Sequence, residues 1–209
     1  MTGGAALVAA LEAEGVRHVF GLIGSAAMEA FDALYQHPTI TFVGVRDERT
    51  GTHMADGYAR ASGGAGVFLA GQNGPGATNT VTGLAQAYAA YSPVVVLAGS
   101  LSTAHVHRDA FQEVDQQALF RPVTKRCWTL TQAARIPEAV HEAFRTALAP
   151  RRGPVALNLP RDLLAETRDY PAPRRDGVLL ASAGAGDPAA GADGLHGDFE
   201  LREREDELG

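Results

Sequence analysis

Residues 66–80 read GVFLAGQNGPGATNT, and this stretch combines a strand, a turn and the start of a helix. The apolar run Gly66–Ala70 has the length and continuity of a buried parallel strand. Gly74, Pro75 and Gly76 then force a tight turn with bare backbone, after which a helical pattern begins. Such a turn either simply connects a strand to a helix or lets backbone amides approach a ligand. It is not a phosphate loop of the GxxxxGK[ST] kind, because no Lys-Ser or Lys-Thr follows.

Apolar runs of this kind occur six times along the chain and alternate with helix-length segments. The predicted strands are His18–Ile23, Ile40–Val45, Gly66–Ala70, Val94–Ala98, Arg126–Leu130 and Val155–Leu159. The predicted helices lie near Gly4–Glu14, Met28–Tyr35, Arg49–Ser62, Ala77–Tyr91, Asp115–Phe120 and Arg135–Leu148. Continuous apolar strands separated by helices are typical of a parallel sheet covered on both faces. With right-handed crossovers, the sequence predicts an α/β fold with a doubly wound, six-stranded parallel sheet.

The composition changes after residue 170. Residues 1–170 carry 14 basic and 15 acidic side chains and alternate between apolar and helical segments. Residues 171–209 carry four basic and nine acidic side chains and are rich in alanine and glycine, with little to bury. We therefore predict one domain over residues 1–170, followed by a linker and a disordered acidic tail over residues 171–209.

Charge and cysteine content narrow the class of protein. The nearly neutral body has no basic face, which argues against a nucleic-acid or anionic-membrane partner. No apolar run approaches the length of a membrane span, and the N-terminus lacks the basic start of a signal peptide. Cys127 is the only cysteine, so an internal disulfide and a cysteine-clustered metal site are excluded. We expect a cytoplasmic protein with no metal site of its own.

An acidic residue follows the predicted second strand directly. Residues 44–60 read GVRDERTGTHMADGYAR, with Glu48 at the point where the strand gives way to a helix. Open α/β sheets bind ligands at the carboxyl ends of their strands, and a carboxylate there can exchange protons with a ligand nitrogen. The alternative is an ordinary solvated acid in the first helical turn, which the helix dipole favours. The spacing alone favours the solvated acid.

A further polar segment follows the fourth predicted strand. It reads DAFQEVDQQALF at residues 109–120 and places Phe111 and Gln112 at the same sheet edge as Glu48 and the glycine turn. Alternatively, Phe111 packs against the core and Gln112 is a helix-start residue. His105 and His107 have a spacing that suits a helical metal site poorly.

Taken in order, the motifs resemble a known family. They are GLIGSA after the first strand, Glu48 upstream of ADGYAR, QNGPGATN, DAFQEVDQ, RPVTK and GPVALNLPRD. Over about residues 3–165, the chain resembles the N-terminal pyrimidine-binding (PYR) domain of thiamine-diphosphate-dependent enzymes, in the acetolactate synthase and sulfoacetaldehyde acetyltransferase branch. GLIGSAAM, QNGPG and FQEVDQQALF look closest to sulfoacetaldehyde acetyltransferase, whereas DAFQE and RPVTK look equally like acetolactate synthase.

The resemblance assigns roles to individual residues. Glu48 would be catalytic, because it would hydrogen-bond the pyrimidine ring nitrogen of thiamine diphosphate and exchange a proton with it. The other cofactor-binding residues it implies are Gly74, Pro75, Gly76 and Asn79. The residues it implies on the substrate side are Gly24, Ser25, Phe111 and Gln112. The implied reaction is decarboxylation or acyl transfer at a 2-keto acid or a related carbonyl compound.

The sequence also departs from the family pattern. Asp47 stands where relatives often carry His, and Asn73 replaces the Ser common in acetolactate synthases, which weakens the case for acetolactate specificity. No Gly-Asp-Gly motif occurs and Asn158 is the last asparagine, so the family's Mg²⁺ and diphosphate ligands are missing. We expect these ligands to come from a diphosphate-binding domain on another chain, in a homo- or hetero-oligomer, or from the full-length relative.

Several explanations of this absence stay open. The chain is a split subunit, a fragment or a truncated product, and in each case we expect it to be inactive in isolation. The sequence is also compatible with a non-catalytic binding or assembly module that retains the fold. A nucleotide-binding protein is a third class, based on GAGDPA at residues 184–189.

Overall fold

The computed structural model describes residues 1–173 and contains one sheet of six parallel strands. The strands are β1 (His18–Leu22), β2 (Thr41–Gly44), β3 (Gly66–Ala70), β4 (Val94–Ser100), β5 (Arg126–Thr129) and β6 (Val155–Pro160). Their order across the sheet is β2-β1-β3-β4-β6-β5, and every neighbouring pair is parallel. The predicted α/β fold with a doubly wound parallel sheet is therefore confirmed.

Seven α-helices accompany the strands within the described residues. They are α1 (Gly3–Ala13), α2 (Met28–Gln36), α3 (Glu48–Ser62), α4 (Pro75–Ala89), α5 (Gln116–Phe120), α6 (Ile136–Leu148) and α7 (Arg161–Ala165). The sequence did not predict α7, which spans five residues and follows β6 without an intervening turn. Helix α3 begins one residue earlier than predicted, because the Asp47 side chain accepts a hydrogen bond from the Arg49 backbone N–H at 2.8 Å.

Two apolar cores lie on opposite faces of the sheet. Along β3, Val67 and Leu69 belong to the core shared with α1, α2, α6 and α7, whereas Phe68 and Ala70 belong to the core shared with α3, α4 and α5. This alternation has the two-residue period of a strand. Every residue of β3 is buried, which explains why the sequence shows a continuous apolar run rather than an alternating one.

The strand order creates a switch point between β1 and β3. The chain passes from β1 to β2 on one side and then returns to β3 on the other side of β1. Ligands of open α/β sheets bind at such a point, beyond the carboxyl ends of the strands. The loops after β1 and β3 meet there closely: Gly71 accepts a hydrogen bond from the Ala26 N–H at 2.9 Å, and a Cβ on Gly24 would lie 2.5 Å from the Gly71 carbonyl carbon.

Some sequence predictions fall on residues that the structure does not describe. Residues 174–209 lie outside the described part of the chain, so the disordered tail, the boundary at residue 170 and the GAGDPA segment stay predictions. Within residues 1–173, no helix is long and apolar enough to cross a membrane.

Candidate functional site

Glu48 is buried at the beginning of α3, where only 7% of its surface is exposed. Its Oε2 accepts a hydrogen bond from the Asn79 Nδ2 of α4 at 3.0 Å. One turn further along α3, the Thr52 hydroxyl donates to the Glu48 backbone oxygen at 2.7 Å. Glu48 is thus held against the neighbouring helix, and the interpretation as a solvated first-turn acid is wrong.

The second carboxylate oxygen of Glu48 remains available. Oε1 accepts no hydrogen bond from residues 1–173, and it lies 3.5 Å from the position that a Cβ would occupy on Gly76. The missing side chain at Gly76 therefore keeps space open beside this oxygen. A carboxylate with one oxygen held and the other accessible can accept a proton from a ligand or donate one to it.

The Gly-Pro-Gly turn is fixed by backbone geometry. Gly74 adopts φ +58° and ψ −98°, and an added Cβ would lie 2.1 Å from the Gln112 carbonyl oxygen. Only glycine fits this combination of positive φ and close approach. Pro75 follows as the first residue of α4, where its fixed φ suits the helix and its missing N–H is not needed. The turn thus brings the beginning of α4 to Glu48.

A single side-chain amide joins three loops at this sheet edge. The Oε1 of Gln72 accepts from both the Ser25 N–H at 3.1 Å and the Ser25 hydroxyl at 3.0 Å. The Nε2 of Gln72 donates to the Gln112 Oε1 at 2.7 Å and to the Asn73 Oδ1 at 3.2 Å. The loops that follow β1, β3 and β4 are therefore connected through Gln72.

Asn73 holds the segment that contains Phe111 and Gln112. Its Nδ2 donates to the Phe111 carbonyl at 2.9 Å and to the Gln112 carbonyl at 3.2 Å. Gln112 has φ +59°, which is uncommon for a residue other than glycine and needs such anchoring. The Phe111 side chain is 78% exposed, so the alternative that it packs against the core is wrong. Gln112 also lies before α5, which begins at Gln116, and is not a helix-start residue.

A buried polar layer lies behind the glycine turn, and the sequence did not predict it. The Gln116 Nε2 donates to the Asn158 Oδ1 at 3.0 Å, and the Gly74 N–H donates to the Gln116 Oε1 at 3.5 Å. The Asn158 Nδ2 donates to the Thr129 hydroxyl at 3.1 Å. An asparagine inside the apolar run VALNLP was the one signal that could have indicated this layer, because a buried amide requires partners.

Cys127 contacts this layer in surroundings that disfavour its thiolate form. Burial raises the pKa of its thiol to about 12, although Asn158 donates a hydrogen bond to the Sγ at 3.6 Å. At neutral pH the group is a thiol, and the thiolate is the reactive form. Residues 1–173 also contain no group of three His, Cys, Asp or Glu side chains that could hold a metal ion.

A cavity of about 730 Å³ lies beside these loops. Its lining includes Asn73 and the two buried amides, Gln116 and Asn158, together with residues from the segment 100–118. Glu48 does not line this cavity. The chemistry of the residues, and not the size of this cavity, therefore locates the candidate site at Glu48.

The structure brings the predicted site residues together at one sheet edge. One group consists of Glu48, Asn79 and the turn from Gly74 to Gly76. A second group consists of Ser25, Phe111 and Gln112. Hydrogen bonds of Gln72 and Asn73, which directly precede the turn, link the second group to the first. Gly24 lies in the same loop as Ser25, against Gly71. The roles of these residues stay predictions.

A doubly wound sheet with a buried carboxylate and a glycine turn at its switch point defines a ligand-binding α/β domain. The family model described as "Thiamine pyrophosphate enzyme, N-terminal TPP binding domain" matches residues 1–119. The chain belongs to this family, and thiamine pyrophosphate is another name for thiamine diphosphate.

Curated relatives identify the branch of the family. The chain is 44% identical over 178 residues to the "Probable acetolactate synthase large subunit" of Methanocaldococcus jannaschii. It is 42% identical over 171 residues to the "Acetolactate synthase isozyme 3 large subunit" of Escherichia coli K12. The first match covers 84% of this chain and 30% of the relative, and the second covers 82% and 30%. The predicted resemblance is confirmed, and the chain spans less than a third of these relatives.

Proposed function

We propose that the chain is the pyrimidine-binding part of a thiamine-diphosphate-dependent enzyme that acts on 2-keto acids or related carbonyl compounds, in the manner of acetolactate synthase. One observation carries this proposal: Glu48 is buried, its Oε2 is held by Asn79, and its Oε1 is left open beside Gly76. The identity to acetolactate synthase subunits supports the same reaction class.

The residues fit the aminopyrimidine end of the cofactor. A pyrimidine ring needs a group that can share a proton with its ring nitrogen, and the Oε1 of Glu48 can do so. Gly76 leaves bare backbone beside this oxygen, where a flat ring can approach. When bound, thiamine diphosphate supplies the carbon nucleophile that attacks a carbonyl group. Glu48 contributes by holding and moving a proton, while Asn79 orients its carboxylate.

The substrate would approach from the second group of residues. Ser25, Phe111 and Gln112 lie on loops that surround the glycine turn, and the exposed Phe111 ring offers an apolar surface to a ligand or a partner. Because parallel strands end at the same edge, substrate and cofactor residues converge although they are far apart in sequence.

The diphosphate end of the cofactor requires residues that this sequence lacks. The proposal assigns Mg²⁺ and the diphosphate to a diphosphate-binding domain, either on another chain or in the remainder of a full-length protein, within a homo- or hetero-oligomer. The isolated chain should then be inactive. The cytoplasmic location expected from the sequence stays a prediction.

Reconstitution tests this proposal. The chain is mixed with a polypeptide comprising the unmatched remainder of the Escherichia coli relative, together with thiamine diphosphate, Mg²⁺ and pyruvate as a 2-keto acid. Cofactor binding is followed by near-UV circular dichroism and turnover by loss of pyruvate. We expect binding and turnover only when both polypeptides are present. Stable association without cofactor binding would contradict the proposal and would favour a non-catalytic assembly module.

A further inference from the structure

Gln72 determines which end of the Gln112 amide is available to a ligand. The oxygen and nitrogen of a glutamine amide must be assigned from their partners, and here a backbone group decides the assignment. The Ser25 N–H can only donate, so the Gln72 atom that faces it at 3.1 Å must be the oxygen. The Ser25 hydroxyl donates to the same atom at 3.0 Å.

The orientation of Gln72 then fixes that of Gln112. With its oxygen toward Ser25, Gln72 presents its Nε2 to Gln112, and the atom of Gln112 at 2.7 Å must be an acceptor. A flipped Gln112 would bring two amino groups together at that distance, which is repulsive. The Nε2 of Gln112 consequently has no hydrogen-bond partner among residues 1–173, and the residue is only half-buried.

Asn73 supports the same arrangement independently. Its Nδ2 faces the carbonyl oxygens of Phe111 and Gln112, which only accept, so its Oδ1 must be the atom that faces the Gln72 Nε2. The Ser25 N–H at one end of this network and the carbonyl groups of residues 111 and 112 at the other end therefore fix the orientation of all three side-chain amides. The same bonds hold Gln112 at its positive φ.

We propose that Gln72 is a positioning residue that turns the Gln112 amino group outward as a hydrogen-bond donor for an anionic or carbonyl oxygen of the substrate. This proposal rests on the proposed function for the identity of the ligand. The orientation itself depends only on contacts within the chain. An amide donor of this kind suits the carboxylate of a 2-keto acid, since hydrogen bonds to charged oxygens are stronger than those between neutral groups.

The orientation is tested on the isolated chain by nuclear magnetic resonance with ¹⁵N and ¹³C labels. We expect a coupling through the hydrogen bond from the Gln72 Nε2 to the Gln112 side-chain carbonyl carbon. We also expect the Gln72 amino protons to exchange with solvent more slowly than those of Gln132, an exposed glutamine with no side-chain cap bond. A coupling in the opposite direction, or equal exchange rates at Gln72 and Gln132, would overturn the proposal.

The consequence for the substrate is tested in the reconstituted enzyme with two variants. Gln72→Glu keeps an acceptor for Ser25 but presents a carboxylate oxygen, instead of an amino group, to Gln112. The Gln112 amino group then turns inward to donate to that oxygen, and KM for pyruvate should rise about tenfold or more. Gln72→Ala lets Gln112 adopt either orientation, and KM should rise only about twofold, because about half the molecules keep the correct one. In both variants kcat should change less than KM.

Gln132→Glu is the matched control, since it makes the same chemical change at an exposed position whose side chain makes no hydrogen bond to Gln72, Asn73 or Gln112. It should leave KM within about twofold of the wild type. An unchanged KM in Gln72→Glu would overturn the role of Gln112 as a donor. If the wild type itself shows no turnover after reconstitution, the proposed function fails, and the measurement on the isolated chain still decides the orientation of the amides.

Discussion

Replacing Gly74 by alanine strains the backbone where the loop after β3 enters α4. The residue has φ +58° and ψ −98°, a conformation that costs an L-residue about 1–3 kcal/mol. The new Cβ would also lie 2.1 Å from the Gln112 carbonyl oxygen. Relieving that overlap requires moving a backbone segment anchored by Asn73, and overpacking of this kind costs about 1–3 kcal/mol. We therefore expect Gly74→Ala to lower the free energy of unfolding by about 3 kcal/mol or more.

Thermal unfolding followed by far-UV circular dichroism measures this loss. For a domain of this size, 3 kcal/mol corresponds to a fall in Tm of about 6–12 °C. Gly57→Ala is the matched control, because Gly57 is exposed in the interior of α3 and its added Cβ would meet nothing within 4 Å. That substitution should raise the free energy of unfolding by about 0.5–1 kcal/mol through the better helix propensity of alanine. Equal stability of the two variants would refute the proposed strain at Gly74.

Two further predictions concern the ionisable groups of Cys127, which is half-buried, and Asp56, which is buried. Because burial raises the pKa of the Cys127 thiol to about 12, Cys127 should resist alkylation by iodoacetamide at pH 8 in the folded chain. The same thiol should react once the chain is unfolded in urea. Fast reaction of the folded protein would contradict this prediction. Burial, the largest single effect, would raise the pKa of Asp56, but the hydrogen bonds from Arg60 at 2.8 and 2.9 Å, a hydrogen bond from Ser92 and the positive charge of Arg60 together outweigh it and lower that pKa. A carboxyl group whose pKa is lowered in the folded state stabilises that state at every pH above the pKa of the unfolded chain. Asp56→Asn should therefore lower the free energy of unfolding by about 1–2 kcal/mol at pH 7. The difference between the two proteins should shrink as the pH falls below about 4, and a constant difference in urea unfolding from pH 7 to pH 3 would contradict the assignment.

The fold could be predicted from the sequence because the central strands β3, β4 and β6 are apolar runs with both faces buried. The runs at Gly66–Ala70 and Val155–Leu159 carry this signal without needing any knowledge of tertiary contacts. The boundaries were less accurate, since α3 begins at Glu48 through an Asp47 cap that periodicity does not show. Helix α7 was missed because it follows β6 directly, with no turn or linker to separate the two elements in the sequence.

The site could be predicted only in part. The spacing of Glu48 favoured a solvated carboxylate, because spacing does not show its partner Asn79, which lies 31 residues later on another helix. Gln72 was missed as well, since its partners Ser25 and Gln112 are 47 and 40 residues away. A polar residue in a glycine-rich loop looks ordinary until the fold brings the three loops together.

Glu48 is proposed to share a proton with the cofactor, and the variant Glu48→Gln removes that proton transfer alone. The glutamine keeps a hydrogen-bonding side chain of the same length but cannot exchange the proton. In the reconstituted enzyme, turnover of pyruvate should fall by a factor of about 10² or more, as expected for loss of an acid–base group. The near-UV circular dichroism titration with thiamine diphosphate and Mg²⁺ should still show binding. Turnover equal to that of the wild type would contradict the account.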